Sequence, residues 1–236
     1  MDALHTLWRA LPWIDWAALV LFFAAWAGYA SFATRRADVR PSVLALANRE
    51  RRRWMLQTSK RENRVFDGVV VQNLSTSPSF FASTTILIIG GLLAVLSTTE
   101  RASEIVREIP FAVPTSLLVF DLKVLLLTAI FVYAFFRFTW AMRQYTFGAL
   151  IVASAPAPDA WLDERERLAF ADRAGSVMGL AAETFNDGLR AYYMAFAAIG
   201  WFFSVWAFLL ATAFVVLVLY RREFHSDVLA VLNAPG

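Results

Sequence analysis

Residues 117–140 read LLVFDLKVLLLTAIFVYAFFRFTW, an apolar run broken only by Asp121, Lys123 and Arg137. At a rise of about 1.5 Å per residue, a helix of this length crosses a hydrocarbon core of roughly 30 Å. Three comparable runs accompany it, Trp16–Ala33, Phe80–Leu96 and Tyr192–Tyr220. The segments between them differ sharply in charge. The first carries Arg35, Arg36, Arg40, Arg49, Arg51, Arg52, Arg53, Lys60, Arg61 and Arg64, and the third carries Arg143, Arg165, Arg167, Arg173 and Arg190. The second has only Arg101 and Arg107, the N-terminal tail Arg9, and the C-terminal tail Arg221 and Arg222. Basic residues near span ends are retained in the cytoplasm. That rule places both long connections inside and both termini outside.

The expected fold is therefore all-α: an integral membrane four-helix bundle, one membrane domain over 1–236, with cytoplasmic amphipathic or extended helices. The expected spans are 16–34, 79–97, 117–140 and 192–220, with cytoplasmic segments 35–78 and 141–191. Hydrophobic residues make up 59% and charged residues 17% of the chain, the latter below the ~25% usual in soluble domains. That leaves no room for a separate soluble enzyme domain. The net charge of +3 is explained by topology and by anionic headgroups beside the inner span ends, with Arg35, Arg36, Arg51, Arg52 and Arg53 the foremost candidates. Nucleic acid is not an expected partner. With no cysteine, disulfides and thiolate metal sites are excluded. His5 and His225 lie in tails, without a carboxylate cluster that would make them metal ligands. No cofactor is expected. The Ala- and Arg-rich, Lys-poor usage points to a GC-rich bacterial genome, hence the inner membrane.

Local signals divide the connections. Ser42 is positioned to cap a basic helix with an apolar stripe, which lies on the membrane or packs on the bundle. Asn73–Pro78 reads as a turn, with Pro78 opening the second span. The Ala153–Asp159 stretch breaks the third helix, and Asp159 is the expected cap of the next. That helix runs toward the last span, with Asn186-Asp187-Gly188 as a possible interruption.

Polar groups inside apolar runs carry the functional argument, because burying them in lipid is costly. Lys123 and Arg137 return to within about 40° of one direction on the helix, while Asp121, Thr128, Thr139 and Thr146 share another face. Three readings stay open: an ion or substrate pathway, an inter-helix ion pair, and snorkelling of the two cations to opposite interfaces. On the second span, Ser79, Ser83, Gly90 and Ser97 share one face. Small residues so spaced let helices approach closely.

Several longer stretches carry a resemblance. Asn63–Gly68, Ser75–Thr85, Asp121-Leu122-Lys123, Phe136–Tyr145 and Tyr220–Phe224 are similar to the signature segments of a family of uncharacterised integral membrane proteins. That family occurs in proteobacteria, has plant relatives and is classed only as a domain of unknown function. The resemblance covers about 16–226 and implies a four-span inner-membrane protein. It lends no reaction, ligand or catalytic residue.

The functional expectation is a non-enzymatic inner-membrane protein that self-associates and forms an ion conduit if span 3 faces a central axis. Lys123 and Arg137 rings would suit anions, and Asp121 rings would suit cations. The alternative is an accessory or scaffold subunit of a larger membrane complex. It is motivated by uncharged aromatic surface at Phe131, Phe135, Phe136, Trp201, Phe202, Phe203 and Trp206. A third reading is an intramembrane enzyme or lipid-binding protein built on Asp121 and the arginine-rich inner surface.

Overall fold

A computed structural model of the protein describes residues 11–37, 42–108 and 116–232, and all its regular structure is helical. In chain order the helices are α1 (Trp13–Ala37), α2 (Val43–Ser59), α3 (Val65–Ser97), α4 (Thr99–Glu108), α5 (Leu117–Ala153), α6 (Glu164–Phe203), α7 (Val205–Phe224) and α8 (Asp227–Leu232). Four helical stretches are long and apolar enough to cross a membrane: Trp13–Ala33, Val65–Ser97, Leu117–Ala153 and Val205–Leu232. The chain forms two compact units. Among the described residues, unit 1 comprises 11–33, 85–108, 116–134 and 189–220, and unit 2 comprises 34–37, 42–84, 135–188 and 221–232.

In unit 1 the C-terminal part of α6 is the most enclosed element, with Ala191, Met194, Ala195, Ala197, Ala198 and Trp201 all buried. Its alanines let neighbouring helices come close. Side-chain contacts fix the helix directions. Tyr29 and Asp15 of α1 meet Arg190 and Trp201 of α6, so these two helices run antiparallel. Phe22 and Phe32 of α1 meet Phe208 and Tyr220 of α7, so these two run parallel. The chain therefore reverses between α6 and α7.

That reversal corrects the expected fourth span, 192–220, which is a helical hairpin rather than one long helix. A Cβ on Gly200 would lie 3.0 Å from the Ala207 carbonyl oxygen and 3.2 Å from the Phe208 Cα. In a straight helix, residues eight apart are separated by about 12 Å. Ser204 sits at the corner and caps α7, its Oγ accepting the Ala207 N–H at 3.0 Å. Among the described residues, six helical segments thus make up unit 1: α1, the end of α3, α4, the first half of α5, the end of α6, and α7.

Unit 2 is built from α2, the first half of α3, the second half of α5, the first half of α6, and the C-terminal segment. Its core gathers Met55, Val71, Tyr145, Val152, Phe170, Ala171, Ala174, Met178 and Ala181. Ser42 caps α2 as expected, its side chain accepting the Ala45 N–H at 3.1 Å. The α2 stripe packs on this core through Met55, with Trp54 and Leu56 at its edge. The C-terminal segment joins α2: the Leu44 N–H donates to Glu223 Oε1 at 3.2 Å, and α8 packs against α2.

Glycines on α6 let α2 approach closely. A Cβ at Gly175 would sit 2.9 Å from the Arg52 Cα, and one at Gly179 would be 2.9 Å from Asn48 Oδ1. A backbone neighbour cannot swing aside, so the helices themselves must move. Gly175→Val is expected to destabilise the protein by about 1–3 kcal/mol, the usual range for overpacking. Melting in detergent checks this, and a wild-type melting temperature would show that α2 yields without cost.

Three local expectations are overturned. Pro78 does not open a span but lies inside α3, fully buried. In the turn before it the Ser75 and Thr76 hydroxyls donate to the Gln72 carbonyl. The cap of α6 is Asp163 rather than Asp159: Asp163 Oδ1 accepts the Glu166 N–H at 2.8 Å, and Glu166 Oε2 accepts the Leu162 N–H at 2.9 Å. Finally, α6 runs unbroken through Asn186-Asp187-Gly188. Turn-type residues are helical there because Asp187 is held by Arg137 and Gly188 lies against the Phe138 ring.

Candidate functional site

Lys123 projects from α5 into the interior of unit 1, where it is only 4% exposed. Its Nζ lies 5.5 Å from the centre of the Trp201 ring and 5.7 Å from that of Phe202. An ammonium over an aromatic face is attracted by the ring quadrupole, more strongly once desolvated. Asp15 of α1, 8% exposed, is the carboxylate that acts on it electrostatically. Trp201 joins the two, since its Nε1–H donates to Asp15 Oδ1 at 2.6 Å. Behind Trp201 stacks Phe208 of α7 at 5.6 Å, and Phe208 in turn meets Phe22 of α1 at 5.0 Å. A buried cation, an acid that acts on it from beyond ion-pair distance and an indole donor therefore gather α1, α5 and α6 beside the Ser204 corner.

Lys123 thus does not snorkel, because its head is enclosed. Asp121, one turn-face away on α5, is half-buried and takes the Thr99 hydroxyl at 2.7 Å, rather than the cation expected for it. Its neighbourhood is the α3–α4 junction. Thr128 and Thr139 donate to carbonyls of their own helix, at Val124 and Phe135 respectively, and Thr146 does the same at Met142. The acid-and-hydroxyl face is therefore not a continuous polar stripe.

Arg137 belongs to unit 2. Its guanidinium donates to Asp187 of α6, so Lys123 and Arg137, though aligned along α5, serve different clusters. A second buried acid, Asp67, has no exposed surface. Its Oδ1 accepts from Trp54 Nε1 at 2.7 Å, Thr58 Oγ1 at 3.0 Å and Arg61 Nη1 at 2.5 Å, while Oδ2 is buried without a hydrogen bond. This carboxylate fastens the α2–α3 turn. Sequence reasoning passed over Asp15, Asp67 and Asp187. The available signal was that each is an acid within or beside an apolar helix.

The arginines expected at lipid headgroups divide. Arg51 turns inward: its Nη1 donates to Asn48 Oδ1 at 2.7 Å, and Asn48 Nδ2 donates to Glu183 at 3.2 Å. Burial lowers the Arg51 pKa, while Tyr145 and Glu183 oppose that shift. Arg52 and Arg53 are exposed and pair with Asp172 and Glu50. The side chains of Arg35 and Arg36 lie outside the described ones, as do His5 and Arg9. His225 is exposed, and among the described residues no group of three or more acids and histidines gathers as a metal site.

The small-residue face of α3 points outward. Ser83, Gly90 and Ser97 are exposed and Ser79 is half-buried, and a Cβ on Gly90 or Gly91 would meet nothing within 4 Å. The face that α3 buries carries Val71, Pro78, Ala82 and Thr85 instead. Between α1 and α5 in unit 1 lies an apolar groove of about 420 Å³, walled by Phe23, Trp26 and Tyr133 over a floor of Ala27, Ala30 and Ala129.

A family profile described as a protein of unknown function, DUF599, matches residues 17–228. The chain belongs to this family. No curated protein and no solved structure matches it. The family assignment agrees with the resemblance seen in the sequence, and the four apolar helices make the chain an integral membrane protein of unknown function.

Proposed function

We propose that this protein is a non-enzymatic scaffold of the bacterial inner membrane that assembles with copies of itself through the outward face of α3. The observation that carries this reading is the pairing of open small residues with closed charges. A Cβ on Gly90 or Gly91 would meet nothing within 4 Å beyond its own helix, whereas Lys123 and Arg137 are each turned onto partners of their own chain. A conduit through these helices would need those charges to face an open path. Small residues on an outward face give another helix the close approach that holds membrane helices together.

The chain's lack of cysteine makes the test direct. Single-cysteine variants Ser83→Cys, Gly90→Cys and Ser97→Cys, oxidised in native membranes, should give a disulfide-linked dimer. Leu210→Cys, exposed on α7, should not. Equal cross-linking at all four sites, or none at the α3 sites, would remove the proposed contact.

The same proposal places the N-terminus outside and the C-terminus in the cytoplasm. Glu223 holding the Leu44 N–H supports this, because α2 lies in the strongly basic connection that is retained inside. Arg221 and Arg222 then join the basic side rather than opposing it, where Arg35, Arg36, Arg52 and Arg53 meet anionic headgroups. Reporter fusions after Arg64 and after Leu232 should report the same compartment, and fusions within 100–108 the other one. Opposite readings at Arg64 and Leu232 would restore an even number of crossings.

A further inference from the structure

The connection between α5 and α6, residues 154–163, is held down along its length. Arg64 donates to the Ala155 carbonyl at 2.6 Å and also to that of Pro156. Arg167 Nη2 donates to the Pro158 carbonyl at 2.5 Å, and Trp161 Nε1 to the Ser59 carbonyl at 3.1 Å. A loop tied at three of its carbonyls and at one indole N–H is preorganised, so a ligand settling against it loses little ordering entropy. Beside this loop is a pocket of about 280 Å³ whose lining includes Ser154, Trp161, Glu166, Phe170 and Arg173.

The lining has three kinds of chemistry. Trp161 and Phe170, with ring centres 5.3 Å apart, form an aromatic wall. Arg173 is exposed at the pocket, and no carboxylate of the described residues lies within ion-pair distance of it. Glu166 gives one oxygen to the Leu162 N–H, so the carboxylate is anchored as a fixed acceptor. The pocket is slightly smaller than the ~300–1,000 Å³ of sites for drug-sized ligands, which suits one or two fused rings.

The pocket lies at the C-terminal end of α5, about 16 Å of helix beyond Trp140 and beside the 154–163 loop. That placement favours a water-soluble ligand over a lipid headgroup.

We propose that this pocket binds a small soluble aromatic anion, its ring against Trp161 and Phe170 and its carboxylate or phosphate on Arg173. Glu166 adds a preference for a ring bearing an N–H or O–H donor and keeps the anionic group on the Arg173 side. This goes beyond assembly: it gives the protein a solute-responsive site outside the membrane, independent of the α3 contact.

The test uses the full-length protein in lipid nanodiscs, with empty nanodiscs as reference, titrated calorimetrically. The probes are indole-3-acetate and phenyl phosphate for the two anionic groups, and indole-3-acetamide as the uncharged counterpart. At least one anion should bind saturably below about 1 mM, and the amide should bind about tenfold more weakly. Arg173→Gln should lose about tenfold, the size of one charge-assisted hydrogen bond, while Arg173→Lys should recover part of it. Arg173 is exposed, so an unchanged melting temperature will show that the variant is folded. Heat equal to that of empty nanodiscs for both anions, or equal affinity in Arg173→Gln, overturns the proposal. Binding of the amide as tight as the acid overturns it too.

Discussion

Asp67→Ala is expected to destabilise the protein by about 3 kcal/mol, lowering its melting temperature in detergent by several degrees. The side chain has no exposed surface, and three donors converge on one of its oxygens. Removing one partner of a buried ion pair typically costs ~3–5 kcal/mol, because the other charge is left uncompensated. Here the lower end applies, since the Arg61 side chain is 40% exposed and can turn to water. The Trp54 indole N–H has less freedom, and an orphaned buried donor costs roughly 1–3 kcal/mol. Thr58 loses least, because its hydroxyl also donates to the Trp54 carbonyl.

Asp67→Asn separates charge from shape. The amide oxygen can keep the three donors, but its NH₂ takes the position of Oδ2, where the carboxylate has no hydrogen-bond partner. The loss should be smaller than for alanine, about 1–2 kcal/mol. An alanine variant melting within a degree of wild type would show that the α2–α3 turn is held by Met55 and its apolar neighbours alone. Asparagine melting below alanine would place the cost in the buried NH₂ rather than in the lost partners.

The sequence made the large divisions legible because they rest on one-dimensional quantities. Apolar run length placed α1, α3, α5 and α7, and the proline-rich Ala153–Asp159 stretch ended α5 where expected. Ser42 was recognisable as a cap because its signal is local. The α6–α7 corner was hidden for the opposite reason. Residues 192–220 stay apolar through the turn, and hydropathy cannot distinguish one long helix from two that fold back. The traces left in sequence were Ser204, a polar cap inside an apolar run, and Gly200, whose missing side chain lets Ala207 and Phe208 approach. Gly188 misled in the other direction. It resembled a helix break and proved to be a close packing point for Phe138, a need that only the tertiary partner reveals. The span-3 charges were legible as candidates but not as pairs. Spacing along α5 put Lys123 with Arg137, whereas their partners, the Trp201 and Phe202 rings and Asp187, come from α6, far away in sequence.

Asp15 and Lys123 share the Trp201 cluster without touching each other as an ion pair, and removing one should not be equivalent to removing the other. Asp15→Ala leaves an ammonium enclosed by Trp201 and Phe202 at 4% exposure and removes the acceptor of the Trp201 N–H. That combination is expected to cost about 1–3 kcal/mol, the usual penalty for orphaning a buried donor. The reverse change, Lys123→Met, keeps the volume and leaves Asp15 its hydrogen bond from Trp201. It also exchanges a buried cation for an apolar side chain against two rings, a change that is often near neutral when a partner remains satisfied. We expect it to cost no more than about half as much as Asp15→Ala. Adding Lys123→Met to Asp15→Ala should then recover stability, because no uncompensated charge is left. In a double-mutant cycle the coupling should exceed about 1 kcal/mol, at the upper part of the range for residues in one network. Melting of the four forms in the same detergent decides it. Additive losses would mean that Lys123 is held by the aromatic rings independently of Asp15. A loss for Lys123→Met equal to that for Asp15→Ala would mean that the cation itself, rather than relief of its burial, organises α1, α5 and α6.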